Sequence, residues 1–275
     1  MKSYLEDHDL ASIKIVATDM DLTLLHDDKS MPEGIAERID ALYERGILFC
    51  AASGRPAPAL RLSFPNNHAR MAMVCDNGAT VYVNDNPIYK DKMDVELYQS
   101  VLTRVGEGVP VLCAYDEAYA LARDYEHHGE VSIYYKAINY LESFEGLDVD
   151  ANKVSVYYPA WNSKEQFDTV YQPEFGDKLY VTCAGAEWID FMNIGIDKGS
   201  GMRRLAEHAG VDLADIAAFG DTYNDIPMLD IVGHSYVMGN AAEHMHDHGM
   251  FLAPSNMEEG VLTVLDRIIE AVPVK

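Results

Sequence analysis

The chain has 275 residues, of which 48% are hydrophobic, enough for two modest domains or one large one with an apolar core. Its formal net charge of −24 argues against nucleic acid or an anionic membrane surface as a partner, because both bind basic patches. The first residues lack the apolar stretch of a signal peptide, and no run approaches ~18 apolar residues. The four cysteines stand singly in apolar runs, so we expect buried, reduced thiols in a cytoplasmic protein.

The first elements alternate between strand and helix. The apolar, β-branched run at 13–18 is typical of a buried parallel strand. A capping-box spacing at 30–33 predicts a helix that ends at Gly46. Further strands are predicted at 47–52 and 71–75, with a short helical segment between them. This order predicts a parallel sheet with right-handed crossovers, as in Rossmann-like α/β folds.

The pattern changes after residue 76. A hairpin is predicted at 80–89, and the tyrosine-rich segment that follows has no repeated βαβ order, which indicates an inserted α+β domain. The alternating pattern resumes with a helix at 198–208. We therefore expect residues 1–89 and 187–275 to form one core and residues 90–186 to form an inserted domain. Within the insertion we predict strands at 109–113, 118–122, 154–158 and 178–183 and helices at 95–105 and 164–171.

Polar residues stand directly after the predicted parallel strands. Asp19 and Asp21 follow the first strand, although such a pair is also typical of turns and helix caps. Because the carboxyl ends of parallel strands share one edge of a sheet, residues far apart in sequence converge there. Carboxylates at that edge suit Mg²⁺, and a hydroxyl, backbone N–H groups and a lysine suit phosphoryl oxygens. The other members of the group are Ser53, Gly54, Lys198, Asp221, Asn224 and Asp225.

Six ordered motifs make the chain resemble the haloacid dehalogenase superfamily of phosphotransferases. Within it, the chain is similar to the Cof-type phosphatases, which have an α/β cap inserted after the third core strand. The resemblance runs nearly from end to end. The motifs are Asp19-Met20-Asp21-Leu22-Thr23, Ala52-Ser53-Gly54-Arg55, Asp76-Asn77-Gly78-Ala79, Asp197-Lys198-Gly199, Phe219-Gly220-Asp221-Thr222-Tyr223-Asn224-Asp225 and Met238-Gly239-Asn240-Ala241.

The resemblance implies a role for each acidic residue of the group. Asp19 would be the nucleophile that forms an aspartyl-phosphate, and its carboxylate would also contact Mg²⁺. Asp21 would protonate the leaving oxygen and then activate water, while its backbone carbonyl contacts the metal. Asp221 would be the third protein ligand of the metal. Asp225 would support the metal or the lysine without direct contact with the substrate.

The resemblance also implies a phosphate-binding set. Ser53 and the Gly54 N–H would bind phosphoryl oxygens, and Asn224 would help to position the phosphate. Lys198 would neutralise charge on both Asp19 and the phosphoryl group. Arg55 follows this motif, and a substrate contact and a structural ion pair are equally open for it.

Two features stand apart from the family pattern. Leu22 occupies a position where the family usually has glycine, which suits a backbone that turns sharply away from the strand. The histidine-rich stretch 244–248 fits neither one helix face nor a known zinc spacing, so a solvated surface is favoured.

We expect a Mg²⁺-dependent phosphatase that acts on a small phosphorylated metabolite, for which a sugar phosphate is one candidate. The alternatives are a phosphomutase of the same superfamily and a non-catalytic sensor of a phosphorylated ligand. Retention of Asp21 argues against the sensor, because a phosphate receiver needs no second acid for proton transfer. We expect a monomer or weak homodimer that binds no nucleic acid and no membrane.

Overall fold

Two β-sheets organise the computed structural model, which describes residues 1–274. The strands are β1 (Lys2–Ser3), β2 (Ile15–Thr18), β3 (Leu48–Ala52), β4 (Ala72–Cys75), β5 (Thr80–Val83), β6 (Asn86–Lys90), β7 (Val109–Ala114), β8 (Glu117–Leu121), β9 (Ile138–Leu141), β10 (Lys153–Tyr157), β11 (Leu179–Cys183), β12 (Trp188–Asn193), β13 (Ile216–Gly220), β14 (His234–Val237) and β15 (Phe251–Leu252). The α-helices are α1 (Ile35–Glu44), α2 (Ala57–Ser63), α3 (Val95–Leu102), α4 (His128–Tyr134), α5 (Ser163–Gln166), α6 (Gln172–Phe175), α7 (Lys198–Ala209), α8 (Ile226–Leu229) and α9 (Gly260–Ala271).

The larger sheet is the predicted parallel core. Its strand order is β1-β15-β14-β13-β2-β3-β4-β5-β6, and every pair from β1 to β4 is parallel. Its central strands β2 and β13 are buried along their whole length, as expected for a sheet covered by helices on both faces. Residues of α1 and α9 cover one face, and residues of α7 and α8 cover the other. The α/β fold expected from the sequence is confirmed.

The predicted hairpin forms β5 and β6, which extend this sheet in antiparallel register beside β4. The chain then enters the second sheet, whose order is β11-β12-β10-β7-β8-β9. All its neighbouring pairs are antiparallel except β8 and β9. A separate apolar cluster, which includes Tyr98, Tyr171 and Phe191, packs α3 and α6 against this sheet.

The second sheet extends beyond the expected boundary at residue 187. Strand β12, at Trp188–Asn193, pairs with both β10 and β11, so the return to the core sheet comes only after residue 193. Strand β9 was not predicted from the sequence either. Strand β12 follows β11 as the second strand of a hairpin, so its sheet was open to prediction from the sequence. Strand β9, in contrast, is separated from its partner β8 by a 3₁₀ turn and α4.

Several local predictions differ from the structure. Helix α1 begins at Ile35 because Gly34 has a φ of 82°, and the capping box predicted at 30–33 does not form. The segment predicted as a helix at 164–171 is helical, but it consists of α5 followed by a π-helical turn at Phe167–Tyr171 and continues into α6. The histidine-rich stretch agrees with its prediction of a solvated surface: it forms a 3₁₀ turn at Glu243–Asp247 in which His244 and His246 are exposed and Met245 is the buried residue.

All four cysteines are buried and free, as the sequence suggested. Among residues 1–274, no helix combines the length and the apolar character needed to cross a membrane.

Candidate active site

The carboxyl ends of β2, β3 and β13 meet at one edge of the core sheet, where a cavity of about 350 Å³ lies between this edge and the second sheet. Most of the predicted site residues line this cavity. The core contributes Asp19, Asp21, Ser53, Gly54, Asp221 and Asn224 to its wall. Lys198 and Asp225 lie behind this wall, in contact with Asp19 or with its neighbours.

A buried lysine joins two of the carboxylates. Lys198 Nζ donates hydrogen bonds of 2.6 Å to Asp19 Oδ1 and of 2.6 Å to Asp225 Oδ1, and its side chain is fully buried. Lys198 opens α7, whose N-cap Asp197 forms a capping box with Ser200, so the helix start is fixed. Burial raises the pKa of Asp19 to about 7, although the positive charge of Lys198 opposes this shift. Burial alone would lower the pKa of Lys198, but Asp19 and Asp225 raise it above its ordinary value.

Both carboxylate oxygens of Asp225 accept hydrogen bonds from the protein. Its Oδ1 accepts from Lys198, and its Oδ2 accepts from the backbone N–H groups of Asp221 and Thr222 at 3.0 and 3.1 Å. In contrast, Asp221 Oδ1 accepts one bond of 3.0 Å from Thr23 Oγ1. Among the described residues, nothing donates a hydrogen bond to Asp19 Oδ2 or Asp221 Oδ2, and both residues line the cavity.

These carboxylates fit a divalent cation. Oxygen atoms of Asp19, Asp221 and Asp225 lie within 4.8 Å of one another. Three carboxylates and one ammonium leave a formal charge of −2, and burial together with the charge of Asp225 raises the pKa of Asp221. Hard oxygen ligands and excess negative charge are the conditions that Mg²⁺ requires. Because both oxygens of Asp225 already accept from protein donors, the free oxygens of Asp19 and Asp221 are more available to such an ion.

Asp21 points to a different set of partners. Arg55 Nε and Nη2 donate to its two carboxylate oxygens at 2.9 and 2.6 Å, and Lys29 Nζ lies 3.0 Å from Oδ1. Burial alone would raise the pKa of Asp21, but the hydrogen bonds and charge of Arg55, with help from Lys29, leave it below its ordinary value. The Arg55 guanidinium also lies 5.0 Å from the ring centre of Tyr134, which belongs to α4 beneath the second sheet. Of the two roles that the sequence left open for Arg55, the structure therefore shows the ion pair, with Asp21 as its partner.

The predicted phosphate-binding residues form a tight loop after β3. The Arg55 N–H donates to Ser53 Oγ at 3.2 Å, which leaves the hydroxyl proton of Ser53 free to donate. A side chain at Gly54 would meet Asn77 Oδ1 and Asp190 Oδ2 at 3.3 Å, so the close packing here favours glycine. Asn224 Nδ2 donates to Asn77 Oδ1 at 3.0 Å, and the Asn77 N–H donates to the Ser53 carbonyl, so the turn after β4 connects the β13 end to this loop.

Leu22 adopts a left-handed backbone conformation, which is the one expected of the glycine that the family usually has at this position. Its φ of 61° and ψ of 8° are left-handed, a conformation that costs a leucine about 1–2 kcal/mol. Asn240 Nδ2 donates to the Leu22 carbonyl at 2.8 Å and holds the turn from outside. The sharp exit from β2 is thus retained with leucine.

The second sheet supplies an aromatic wall to the cavity. The Tyr134 and Trp188 rings meet edge to face with their centres 5.3 Å apart, and Trp161 stands at the cavity with 66% of its surface exposed. Glu187 lines the same wall. The sequence did not mark Tyr134 or either tryptophan as a residue of this site.

A second set of residues missed from sequence surrounds Lys153 of β10. This lysine is fully buried, and its Nζ donates to the Gly54 carbonyl at 2.5 Å. Asp76 and Asp190 lie 3.4 and 3.7 Å from the same nitrogen. The motif Asp76-Asn77-Gly78 marked Asp76 as a candidate in the sequence. Nothing in the sequence marked Lys153, because a single lysine before an apolar run is not a recognisable signal.

Comparison with known proteins agrees with this geometry. Residues 16–265 match the family model of haloacid dehalogenase-like hydrolases. The chain is 30% identical over 268 residues to the 5-amino-6-(5-phospho-D-ribitylamino)uracil phosphatase of Escherichia coli (strain K12), covering 94% of this chain and 97% of that one. It is 23% identical to the HMP-PP phosphatase of Enterobacter sp. (strain 638), covering 83% and 85% of the two chains.

A solved structure from Streptococcus mutans UA159 superposes with a TM-score of 0.87 at 26% identity, covering 94% of this chain and 99% of that one. A haloacid dehalogenase-like hydrolase from Bacteroides thetaiotaomicron has the same fold, with a TM-score of 0.79 at 21% identity, covering 93% and 99%. The chain therefore belongs to the haloacid dehalogenase-like hydrolases, and it is a phosphatase.

Proposed function

We propose that this phosphatase hydrolyses a small phosphorylated metabolite with the help of Mg²⁺ and through an aspartyl-phosphate on Asp19. The observation that carries the proposal is the contact of Lys198 with Asp19 Oδ1, which leaves Asp19 Oδ2 free at the cavity. A carboxylate with one oxygen fixed and the other facing a cleft is oriented for attack on an electrophile.

The metal would be held by Asp19, Asp221 and the backbone carbonyl of Asp21. Bound Mg²⁺ supplies positive charge that offsets the negative charge of the nucleophile and of the phosphoryl oxygens. Asp225 would act indirectly, because both of its oxygens are taken by Lys198 and by backbone N–H groups. Its task is to hold Lys198 and the 221–222 backbone in place.

The phosphoryl group would be bound from the side of Ser53. The Ser53 hydroxyl and the Gly54 N–H donate to phosphoryl oxygens, and Asn224 and the third N–H of Lys198 add donors. These groups are positioned before the substrate arrives, so they stabilise developing charge without reorganisation.

Asp21 would transfer the proton to the leaving oxygen and later take one from water. In the structure its carboxylate is held ionised by Arg55 and Lys29. A substrate phosphate competes for these two cations, and any loss of their contact raises the pKa of Asp21 toward that of a useful acid. Proton transfer is thereby linked to the presence of substrate.

The substrate we propose is the one named for the Escherichia coli relative, a phosphorylated ribityl chain joined to an aminouracil ring. The rings of Tyr134, Trp161 and Trp188 provide flat apolar surface, and a tryptophan that is 66% exposed is available to stack on a planar ligand. Glu187 offers acceptors for ring N–H groups. A hexose phosphate, the sugar phosphate considered from sequence, has no planar ring to use this wall.

The test is a comparison of kcat/KM for three substrates: 5-amino-6-(5-phospho-D-ribitylamino)uracil, glucose 6-phosphate and p-nitrophenyl phosphate. We expect at least about tenfold preference for the first over glucose 6-phosphate, equivalent to one stacking contact. W161A should lower kcat/KM for 5-amino-6-(5-phospho-D-ribitylamino)uracil and leave kcat/KM for the other two substrates unchanged. A preference for glucose 6-phosphate would overturn the proposed substrate, and activity that survives EDTA would overturn the proposed metal.

The phosphomutase alternative predicts a different product. With glucose 6-phosphate, a mutase yields an isomeric sugar phosphate, whereas a hydrolase yields inorganic phosphate and free sugar. The relatives reported above are named as phosphatases, which supports the hydrolase.

A further inference from the structure

Lys153 belongs to the second sheet but makes its shortest contact with the core. It begins β10, and its side chain is 1% exposed. Its Nζ lies 2.5 Å from the Gly54 carbonyl, in the loop proposed to bind the phosphoryl group. A buried lysine is costly unless its charge is paired and its N–H groups are used. Asp76 and Asp190 supply the pairing, at 3.4 and 3.7 Å.

Each of three consecutive carbonyls of the loop accepts a hydrogen bond. The Ser53 carbonyl accepts from the Asn77 N–H at 3.0 Å, and the Arg55 carbonyl accepts from the Asp76 N–H at 3.0 Å. The Gly54 carbonyl lies between them and accepts from Lys153. Two of the three donors come from the core backbone itself, and the third comes from a side chain of the second sheet.

The contact at Gly54 fixes more than one carbonyl. In a trans peptide the C=O of Gly54 and the N–H of Arg55 belong to one rigid plane and point in opposite directions. That N–H donates to Ser53 Oγ at 3.2 Å. By holding the carbonyl, Lys153 therefore holds the N–H that occupies a lone pair of Ser53 Oγ and directs the hydroxyl proton elsewhere.

We infer that Lys153 is a positioning residue for phosphate binding, acting through the Gly54–Arg55 peptide on the Ser53 hydroxyl. The inference rests on the proposed role of Ser53. By this inference the second sheet does more than recognise the leaving group: through Lys153 it also helps to position the phosphate-binding loop. The donor geometry of the core loop is complete only when β10 carries a hydrogen-bond donor at position 153.

The test must separate this role from support of the fold. The single variant K153M leaves Asp76 and Asp190 buried without their cation, which is strongly destabilising. The double variant K153M/D76N keeps the formal charge of the group at −1, because it removes one positive and one negative charge. It is compared with D76N alone, in which the group is formally neutral, and with K153Q/D76N, which has the same charge as K153M/D76N and isolates the N–H donor. S155A is the matched control, because Ser155 Oγ donates to Asp190 Oδ1 at 2.5 Å from the same strand without contact with Gly54.

The measured quantity is the inhibition constant of inorganic phosphate against p-nitrophenyl phosphate hydrolysis, with kcat recorded alongside. We expect K153M/D76N to raise the inhibition constant about tenfold over D76N, the effect of about one charged hydrogen bond. We expect S155A to stay within about twofold of wild type, even where its melting temperature falls. K153Q/D76N retains an N–H donor and should restore part of the affinity.

Equal inhibition constants for K153M/D76N and D76N would overturn the inference. Should the methionine variant not fold, K153Q/D76N is compared with D76N, with an expected rise of about threefold from a shorter, uncharged donor. No change would again overturn it. S53A separates this from failure of the proposed function: if S53A leaves the phosphate inhibition constant unchanged, the role of the loop itself is wrong.

Discussion

Arg55 binds both oxygens of the Asp21 carboxylate, through Nε at 2.9 Å and Nη2 at 2.6 Å. Such a bidentate pair fixes the plane of the carboxylate as well as its charge. Asp21 is thus held beside the cavity in a defined orientation, two residues after Asp19, whose partner is Lys198 instead. The two aspartates of one motif therefore have different electrostatic surroundings, as expected if they perform different chemical tasks.

D21N tests the proton-transfer role. The asparagine keeps one oxygen for Arg55 and leaves the backbone carbonyl unchanged, so we expect folding and metal affinity to be preserved. Loss of the acid should lower kcat for an alkyl phosphate by about 10²–10⁴. The loss should be smaller for p-nitrophenyl phosphate, because its leaving group needs little protonation. D27N, which alters another carboxylate at the cavity, is the control, and equal losses for both substrates would count against the acid role.

Substitutions at Leu22 test the strain in the turn after β2. Glycine relieves a left-handed penalty of about 1–2 kcal/mol but gains freedom in the unfolded chain, so L22G should have a free energy of unfolding within about 1 kcal/mol of wild type. A β-branched residue is more restricted at positive φ, and L22V should be destabilised by about 1–2 kcal/mol. Urea unfolding measures both. A valine variant as stable as the glycine variant would show that the turn is not left-handed.

Asp7 makes a prediction about stability and pH at a distance from the active site. It is buried and accepts a hydrogen bond of 2.7 Å from His234 Nδ1 and another from the Tyr236 hydroxyl. Burial alone would raise the pKa of Asp7, but these hydrogen bonds leave it lowered from 3.8. Because the folded-state pKa lies below the unfolded value, the contribution to stability is present above about pH 4 and is lost as the pH falls through the folded pKa.

D7N should therefore lower the free energy of unfolding by about 1–3 kcal/mol at pH 7, with a smaller difference from wild type at pH 3. Thermal melts at pH 7, 5 and 3 measure this, and kcat should not change. D266N, which removes a half-exposed partner of Arg38, is the control and should have little effect. A deficit of D7N that grows as the pH falls would contradict this assignment.

The sequence predicted the parallel core and the residues at its edge because both depend on local patterns. Apolar runs mark β2, β3, β4 and β13, and the parallel arrangement then brings their following residues together. Trp188–Asn193 was instead assigned to the core, although it forms a hairpin with β11. Its other partner, β10, lies more than 30 positions earlier, and no local pattern marks that pairing.

Lys153 illustrates a second limit. A lysine is most often solvated, and only the fold brings Asp76, Asp190 and the Gly54 carbonyl around it. The same holds for Arg55, whose ion pair with Asp21 joins residues 34 positions apart. Buried charges acquire their partners from tertiary structure, so their roles are not contained in spacing or composition.

The central claim is that Asp19 forms a covalent phosphoryl intermediate. Its most direct test is a single-turnover reaction with excess D21N enzyme, acid quench and mass spectrometry of the digested protein. D21N slows hydrolysis of the intermediate, so the account predicts one phosphoryl group on the peptide that contains Asp19. D19N/D21N should carry none. A phosphoryl group on the peptide of Asp221 or Asp225, or a D19N/D21N protein labelled as strongly as D21N, would contradict the account.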